Sequence, residues 1–149
     1  MKSWMMIAVL SLGVWGCVDD GEPTLIPNAD PALRSKGSQL SADSAKRSYE
    51  ATAPRGTEPV ARATCYLMSG NFEVVNLSSD NWVNVEVWIN QTYVLRVPKM
   101  ESGVAKRLDF NMFYNQNKRH FDTEKGKYPV QTLEIYCDGK MYNVPITLE

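Results

Sequence analysis

The sequence predicts an all-β domain, a small antiparallel sandwich, over residues 63 to 149. Three observations lead there. Between Phe72 and Phe110 nearly every second residue is apolar, the period of a strand with one face buried. About seven short alternating runs follow one another, punctuated by Asn, Asp, Ser, Gly and Pro. No stretch of that part of the chain sustains a convincing long helix.

Taken in order, Ala63 to Met68 is a first strand with Cys65 and Leu67 on one face, and Ser69-Gly70-Asn71 is its turn. Phe72 to Leu77 is the second. The polar turn Ser78 to Asn81 leads into Trp82 to Ile89, the most regular strand, in which Val83, Val85, Val87 and Ile89 point one way and Trp82, Asn84, Glu86 and Trp88 the other. Asn90-Gln91 stands in a two-residue hairpin position, where Asn suits the positive φ required. Thr92 to Val97 returns with Tyr93, Leu95 and Val97 on one face, and Pro98, lacking an N–H, is expected to end the ladder. Glu101-Ser102-Gly103 turns into Val104 to Phe110. A long polar loop from Asn111 to Pro129 interrupts the pattern. Leu133 to Cys137 and Lys140 to Leu148 flank Asp138-Gly139, a strong hairpin signal, and Pro145 places the last strand at a sheet edge.

The first 62 residues are not core. Residues 18 to 62 carry Pro23, Pro27, Pro31, Pro54 and Pro59, with Tyr49 as their single aromatic residue. That composition buries too little surface to offset the entropy of ordering, so residues 17 to 62 are expected to be a flexible linker; the sharper alternative is a segment that folds on a partner. Residues 41 to 50 have the makings of a brief helical turn. Residues 1 to 16 have one cation, Lys2, and then an apolar run too short to span a bilayer, the pattern of a signal peptide. Its end, Val14-Trp15-Gly16-Cys17, resembles the lipobox of bacterial lipoproteins. The resemblance implies cleavage before Cys17 and acylation of that cysteine, hence a lipid anchor in the bacterial cell envelope with the domain outside the cytoplasm. Trp15 is bulkier than the usual residue there, and ordinary signal-peptidase cleavage after Gly16 is the competing reading. Val18 after the cysteine favours the outer membrane of a two-membrane cell.

Asn76-Leu77-Ser78, then Val85-Glu86-Val87, a hairpin, and Val97 leading to Ser102-Gly103 and Phe110 resemble the immunoglobulin-like FxLYD-type domains of extracytoplasmic bacterial proteins. This resemblance implies a binding or accessory role without a catalytic centre, and it carries over no site residues. An ordinary immunoglobulin domain fits less well, because Ile135 stands where a tyrosine two residues before the second cysteine is expected.

Composition excludes little except nucleic acid as a partner. The net charge is -1, and residues 63 to 149 carry nine Lys or Arg against ten Asp or Glu, which leaves no basic footprint. With Cys17 assigned to lipid, Cys65 and Cys137 remain as a pair, and a bridge between them would stabilise by roughly 4 kcal/mol in the chain-entropy model. The alternative is two separate buried thiols. The lone His120, beside Arg119, Phe121, Asp122 and Glu124, has no partners for a zinc site, and its use with Asp122 in hydrolysis is the weakest reading. No cofactor or metal is expected. Asn76-Leu77-Ser78 and Asn90-Gln91-Thr92 fit the glycosylation pattern, which a bacterial lipoprotein does not normally use.

The better candidates are surfaces. If Val83 to Ile89 face the core, Trp82 and Trp88 share the outer face as an aromatic strip for a sugar, a peptide or a protein, with Phe113 and Tyr114 as neighbours. Because tryptophan is usually mostly buried, cover by the other sheet or by the loop holding Phe113, Tyr114, Phe121 and Tyr128 is the favoured alternative. The expectation is a non-catalytic, lipid-anchored protein that binds an envelope protein or glycan or helps assemble an envelope complex. A purely structural envelope component is the alternative.

Overall fold

The computed structural model describes residues 37–57, 60–123 and 129–149. The signal peptide, Cys17 and the first part of the linker lie outside the described residues, as do Pro59, Glu124 and Tyr128. The described chain is mostly strand, in two four-stranded sheets, with one short helix, α1 (Gly37–Ser44). The strands are β1 (Ala61–Tyr66), β2 (Asn71–Asn76), β3 (Trp82–Ile89), β4 (Tyr93–Met100), β5 (Ala105–Asp109), β6 (Leu133–Cys137), β7 (Lys140–Asn143) and β8 (Ile146–Leu148).

One sheet has the order β4-β3-β6-β7 and the other β5-β2-β1-β8. All pairings are antiparallel except β1 with β8. The parallel pair has a local cause. Val144-Pro145 interrupts the last run, so β7 stays on β6 while β8 crosses to the other sheet and pairs with β1, with Ala63 N–H donating to the Pro145 carbonyl at 2.9 Å. Both pieces occupy sheet edges, as a strand near proline should.

The inner faces of the two sheets meet in one core. Phe72, Val74, Val85, Val87, Ile89, Leu95, Val97, Leu108, Leu133 and Ile135 fill it from the strands. The segment after β5 adds aromatic mass: a short 3-10 turn at Phe110–Met112 turns Phe110 and Phe113 inward. Phe72 lies edge-on to Phe110 at 5.0 Å, and Phe110 to Phe121 at 5.4 Å. The polar loop expected after Phe110 is therefore partly core. It also runs along β4, where Val94 and Tyr114 exchange backbone hydrogen bonds and shield that sheet edge.

Two expectations about β3 and β4 are corrected by one feature. Val83 is 58% exposed, and Trp82 faces the core in its place. Asn84 has φ 53, the left-handed region in which Asn is among the few tolerated residues, and this half-turn reverses the alternation between Trp82 and Val85. Pro98 lies opposite on β4, between the pairs Val83↔Lys99 and Val85↔Val97. It does not end the strand: Val97 and Met100 both reach the core, so β4 shifts phase at the same level and the register survives. The Arg96 guanidinium donates to the Asn84 side-chain carbonyl and braces the kink.

The β3–β4 connection is three residues, 90 to 92, with positive φ at Asn90 and Gln91. Asn90 also accepts from the N–H groups of Gln131 and Thr132 and donates to the Pro129 carbonyl, which ties the hairpin to the start of β6. Asn76 is fully buried and its bonding capacity is equally taken up: its amide donates to the carbonyls of Asp80 and Met100, and its oxygen accepts from the Ser78 N–H and hydroxyl. Neither asparagine presents a free amide in this fold.

Candidate functional site

The outer face of the β4-β3-β6-β7 sheet is not polar. Trp88, Val94 and Met141 form a second apolar cluster there, with Tyr136 against it. Alternation also puts two carboxylates on this face, Glu86 beside Tyr136 and Glu134 beside Trp88 in the β3–β6 register. An exposed patch of this kind requires a cover.

The cover is the chain's own N-terminal segment. Residues 37 to 57 are not a free linker but a strap laid across the sheet, which corrects the expectation for that part of residues 17 to 62. The α1 helix, too short to stand alone, is held where the Ser44 hydroxyl donates to the Val94 carbonyl at 3.0 Å. Arg47 pairs with Asp43 one turn back at 3.0 Å and also with Glu86 on β3. Its hydrogen bond holds the Asp43 carboxyl below the ordinary carboxylate range. Tyr49 sits edge-on over Trp88 with ring centroids 5.5 Å apart. At the far end the strap pairs with β7: Met141 N–H donates to the Pro54 carbonyl at 2.9 Å, and Gly56 N–H to the Met141 carbonyl at 3.0 Å. Gly56 is required by space, since a Cβ there would lie 2.0 Å from the Tyr142 ring.

Glu134 is the centre of this lock. It is 2% exposed, and a carboxylate so buried needs compensation. The strap supplies it from two residues, with the Tyr49 hydroxyl donating to one carboxylate oxygen at 2.8 Å and the Arg55 guanidinium donating to the other. Arg55 also donates to the Tyr49 oxygen at 2.7 Å, closing a three-membered network. Burial and the adjacent carboxylate both push the Tyr49 phenol pKa up. The bond to Glu134, with that to Tyr49 second, raises Arg55 further.

Beside the lock the surface opens into a cleft of about 320 Å³. Its walls are Tyr49 from the strap, Trp88 from β3, Gln91 and Thr92 from the hairpin, and residues 115 to 117. That last loop is shaped by Asn115, whose oxygen accepts from the N–H groups of Asn117 and Arg119, each at 3.0 Å. Gln116 joins loop to strap by donating to the Arg47 carbonyl at 3.0 Å. The side-chain amides of Gln91 and Asn117 make no hydrogen bond to other described residues.

The expected aromatic strip is not formed. Trp82 and Trp88 lie on opposite faces of β3 because of the Asn84 kink, Trp82 in the main core and Trp88 under the strap. Phe113 is core, and Tyr114 is buried against the β4 edge. Of the four, Trp88 lines the cleft beside the strap. Cys65 on β1 and Cys137 at the end of β6 are buried free thiols on strands of different sheets, and the bridge expected between them is not formed here. Burial pushes both thiols up to about 11. His120 is exposed and bridges backbone with Tyr114, its ring edge-on at 6.2 Å. Among the described residues no group of three His, Cys, Asp or Glu side chains is placed to hold a metal ion.

Glu134, Arg47, Arg55, Gln91, Gln116 and Asn117 were all missed by sequence reasoning. One signal was present: Tyr49 is the only aromatic residue of a proline-rich stretch, and two arginines flank it within eight positions. A spacer has no use for that combination. No family model matches the chain, and none of the curated proteins or solved structures compared with it does so.

Proposed function

We propose that this chain is a non-catalytic binding protein of the bacterial cell envelope, lipid-anchored through Cys17, whose folded part is an immunoglobulin-like sandwich of the FxLYD type. The observation that carries the binding reading is the cleft walled by Tyr49 and Trp88 and edged by amides without partners among the described residues. Sites that hold small ligands are typically concave, with aromatic walls and a few placed polar groups. The strand order, with β3 and β6 central in one sheet and β2 and β1 in the other, supports the immunoglobulin-like description. The anchor rests on Val14-Trp15-Gly16-Cys17, and the strap that lies on the domain begins at residue 37.

A purely structural role has less support. It calls for a self-association edge, and β8 closes its sheet with only three residues, the short edge that limits strand addition.

Two measurements test the proposal. Intact mass of the protein from bacterial membranes should match the chain from Cys17 onward plus acyl groups. The protein should also co-sediment with lipid-extracted envelope fragments, and the double substitution Gln91→Ala/Asn117→Ala should abolish that. An unacylated soluble species would remove the anchor, and fragments that retain neither protein, or both equally, would remove the cleft as the binding site.

A further inference from the structure

We infer that the cleft between Tyr49, Trp88 and the 115–117 loop takes a neutral polyhydroxylated ligand, one or two sugar rings of an uncharged glycan. The inference rests on the binding role proposed for this cleft and names the ligand's chemistry.

The cleft is lined by the partly exposed Tyr49 ring and the buried Trp88 beside it, and its polar lining includes Gln91, Gln116 and Asn117. The amides of Gln91 and Asn117 are each both donor and acceptor, and so match a hydroxyl group, which is also both, while Gln116, whose amide donates to the Arg47 carbonyl and the Ser48 hydroxyl, offers its oxygen. Neighbouring hydroxyls on a ring need paired donors and acceptors at short spacing, which side-chain amides supply and an aliphatic lining does not. The apolar C–H face of a sugar ring in turn fits the partly exposed ring of Tyr49.

What the cleft lacks among its lining is equally specific. Among the described residues no Asp, Glu, Lys or Arg lines it, so a phosphate, a carboxylate or an ammonium group entering there would lose water without gaining a counter-charge from them. The two carboxylates beneath the strap, Glu86 and Glu134, are paired to Arg47 and Arg55. The volume of about 320 Å³ lies at the small end of ligand pockets, suited to a short saccharide rather than a folded partner.

The strap makes the site. Without it Tyr49 is gone from the wall, and Gln116 loses the Arg47 carbonyl that fixes it. A strap that neutralises a buried carboxylate and also supplies the partly exposed aromatic ring of the cleft joins the N-terminal part of the protein to its binding site. Ligand contact and strap docking therefore stabilise each other.

The test uses the full-length chain, labelled with 15N, in a phosphocholine detergent that has no sugar headgroup. Cellobiose, maltose and N,N′-diacetylchitobiose are titrated while the Trp88 indole N–H and the side-chain amides of Gln91, Gln116 and Asn117 are followed. At least one disaccharide should shift these resonances with a Kd on the order of 1 mM, the strength expected of a small ligand in an open cleft. Gln91→Ala/Asn117→Ala should weaken that binding about tenfold or more while the remaining spectrum superimposes on wild type. Asn117→Asp, which keeps the shape of the side chain, gives a second variant with the same expected loss. If no disaccharide at about 10 mM moves the cleft resonances, the inference fails. If a neutral Asn-Ser-Gly tripeptide moves them and the sugars do not, the inference fails while the binding role stands, and envelope fragments will still retain the protein through the cleft. If those fragments also fail to retain it, both fall.

Discussion

Replacing Arg55 with methionine keeps an aliphatic stem on the strap but leaves Glu134 buried and short of its counter-charge. Breaking a fully buried pair from one side costs about 3 to 5 kcal/mol. Two features reduce that here. The Arg55 side chain is 43% exposed, so water already screens part of the pairing, and Tyr49 continues to donate to the carboxylate. The expected loss is about 2 kcal/mol, or roughly a 10 °C fall in Tm for a domain of this size. Glu134→Gln removes the charge instead, keeping the shape and an oxygen for Tyr49 and Arg55, and should cost only about 1 kcal/mol. The double variant should resemble Glu134→Gln alone, because methionine then faces no unpaired charge; the coupling is on the order of 1 to 2 kcal/mol. Urea unfolding followed by the fluorescence of Trp82 and Trp88 measures all three. Hydrogen exchange at the Gly56 and Met141 amides reports release of the strap independently, and should quicken most in Arg55→Met. If Arg55→Met lies within about 0.5 kcal/mol of wild type, or costs no more than Glu134→Gln, the buried carboxylate does not hold the strap and the reasoning is refuted.

Asn76→Ala should cost about 2 to 3 kcal/mol in the same unfolding assay, since it strips partners from the Ser78 N–H and from the Asp80 and Met100 carbonyls; a neutral result would mean that the turn repacks. At Asn84, alanine should destabilise by about 1 kcal/mol relative to glycine, because only the former is strained at φ 53; equal unfolding midpoints would place the kink elsewhere. Cys65 and Cys137 bind protons more tightly folded than unfolded, their pKa values rising from 9.0 to about 11. Their contribution is complete below pH 9 and is lost as pH climbs through 11, on the order of 2 to 3 kcal/mol for each thiol, and a pH series of urea midpoints should fall over that window. At neutral pH both thiols should resist alkylation in native protein yet alkylate in urea without reductant, whereas a requirement for reductant would reveal the bridge. Gly56→Ala should drive the strap off β7 or displace the Tyr142 ring, seen as faster exchange at Met141; unchanged exchange would show that the contact yields freely.

Local chemistry determined much of this protein. Alternation placed β1 to β7 within a few residues, Asp138-Gly139 made its hairpin, and Pro145 marked an edge, because each depends on a side chain's own φ preference or on a period of two. The pairing partners were another matter. That β8 leaves β7 to lie parallel to β1 depends on which edge is open across the molecule, and that is absent from any short window. The Asn84 kink was legible only with its partner, since a lone left-handed Asn would have broken register; Pro98 opposite lets both strands shift together, and Trp82 and Trp88 separate to different faces as a result.

The cleft was least legible of all. Its residues come from positions 49, 88, 91, 92 and 115 to 117, brought together by tertiary contact, and each alone reads as an ordinary linker, strand or loop residue. Composition marked residues 17 to 62 as linker because so few of them are apolar. What reversed it for residues 37 to 57 was a buried carboxylate 79 residues beyond Arg55: the strap is ordered by the charge and apolar face it covers, a partner that only the assembled sheet presents.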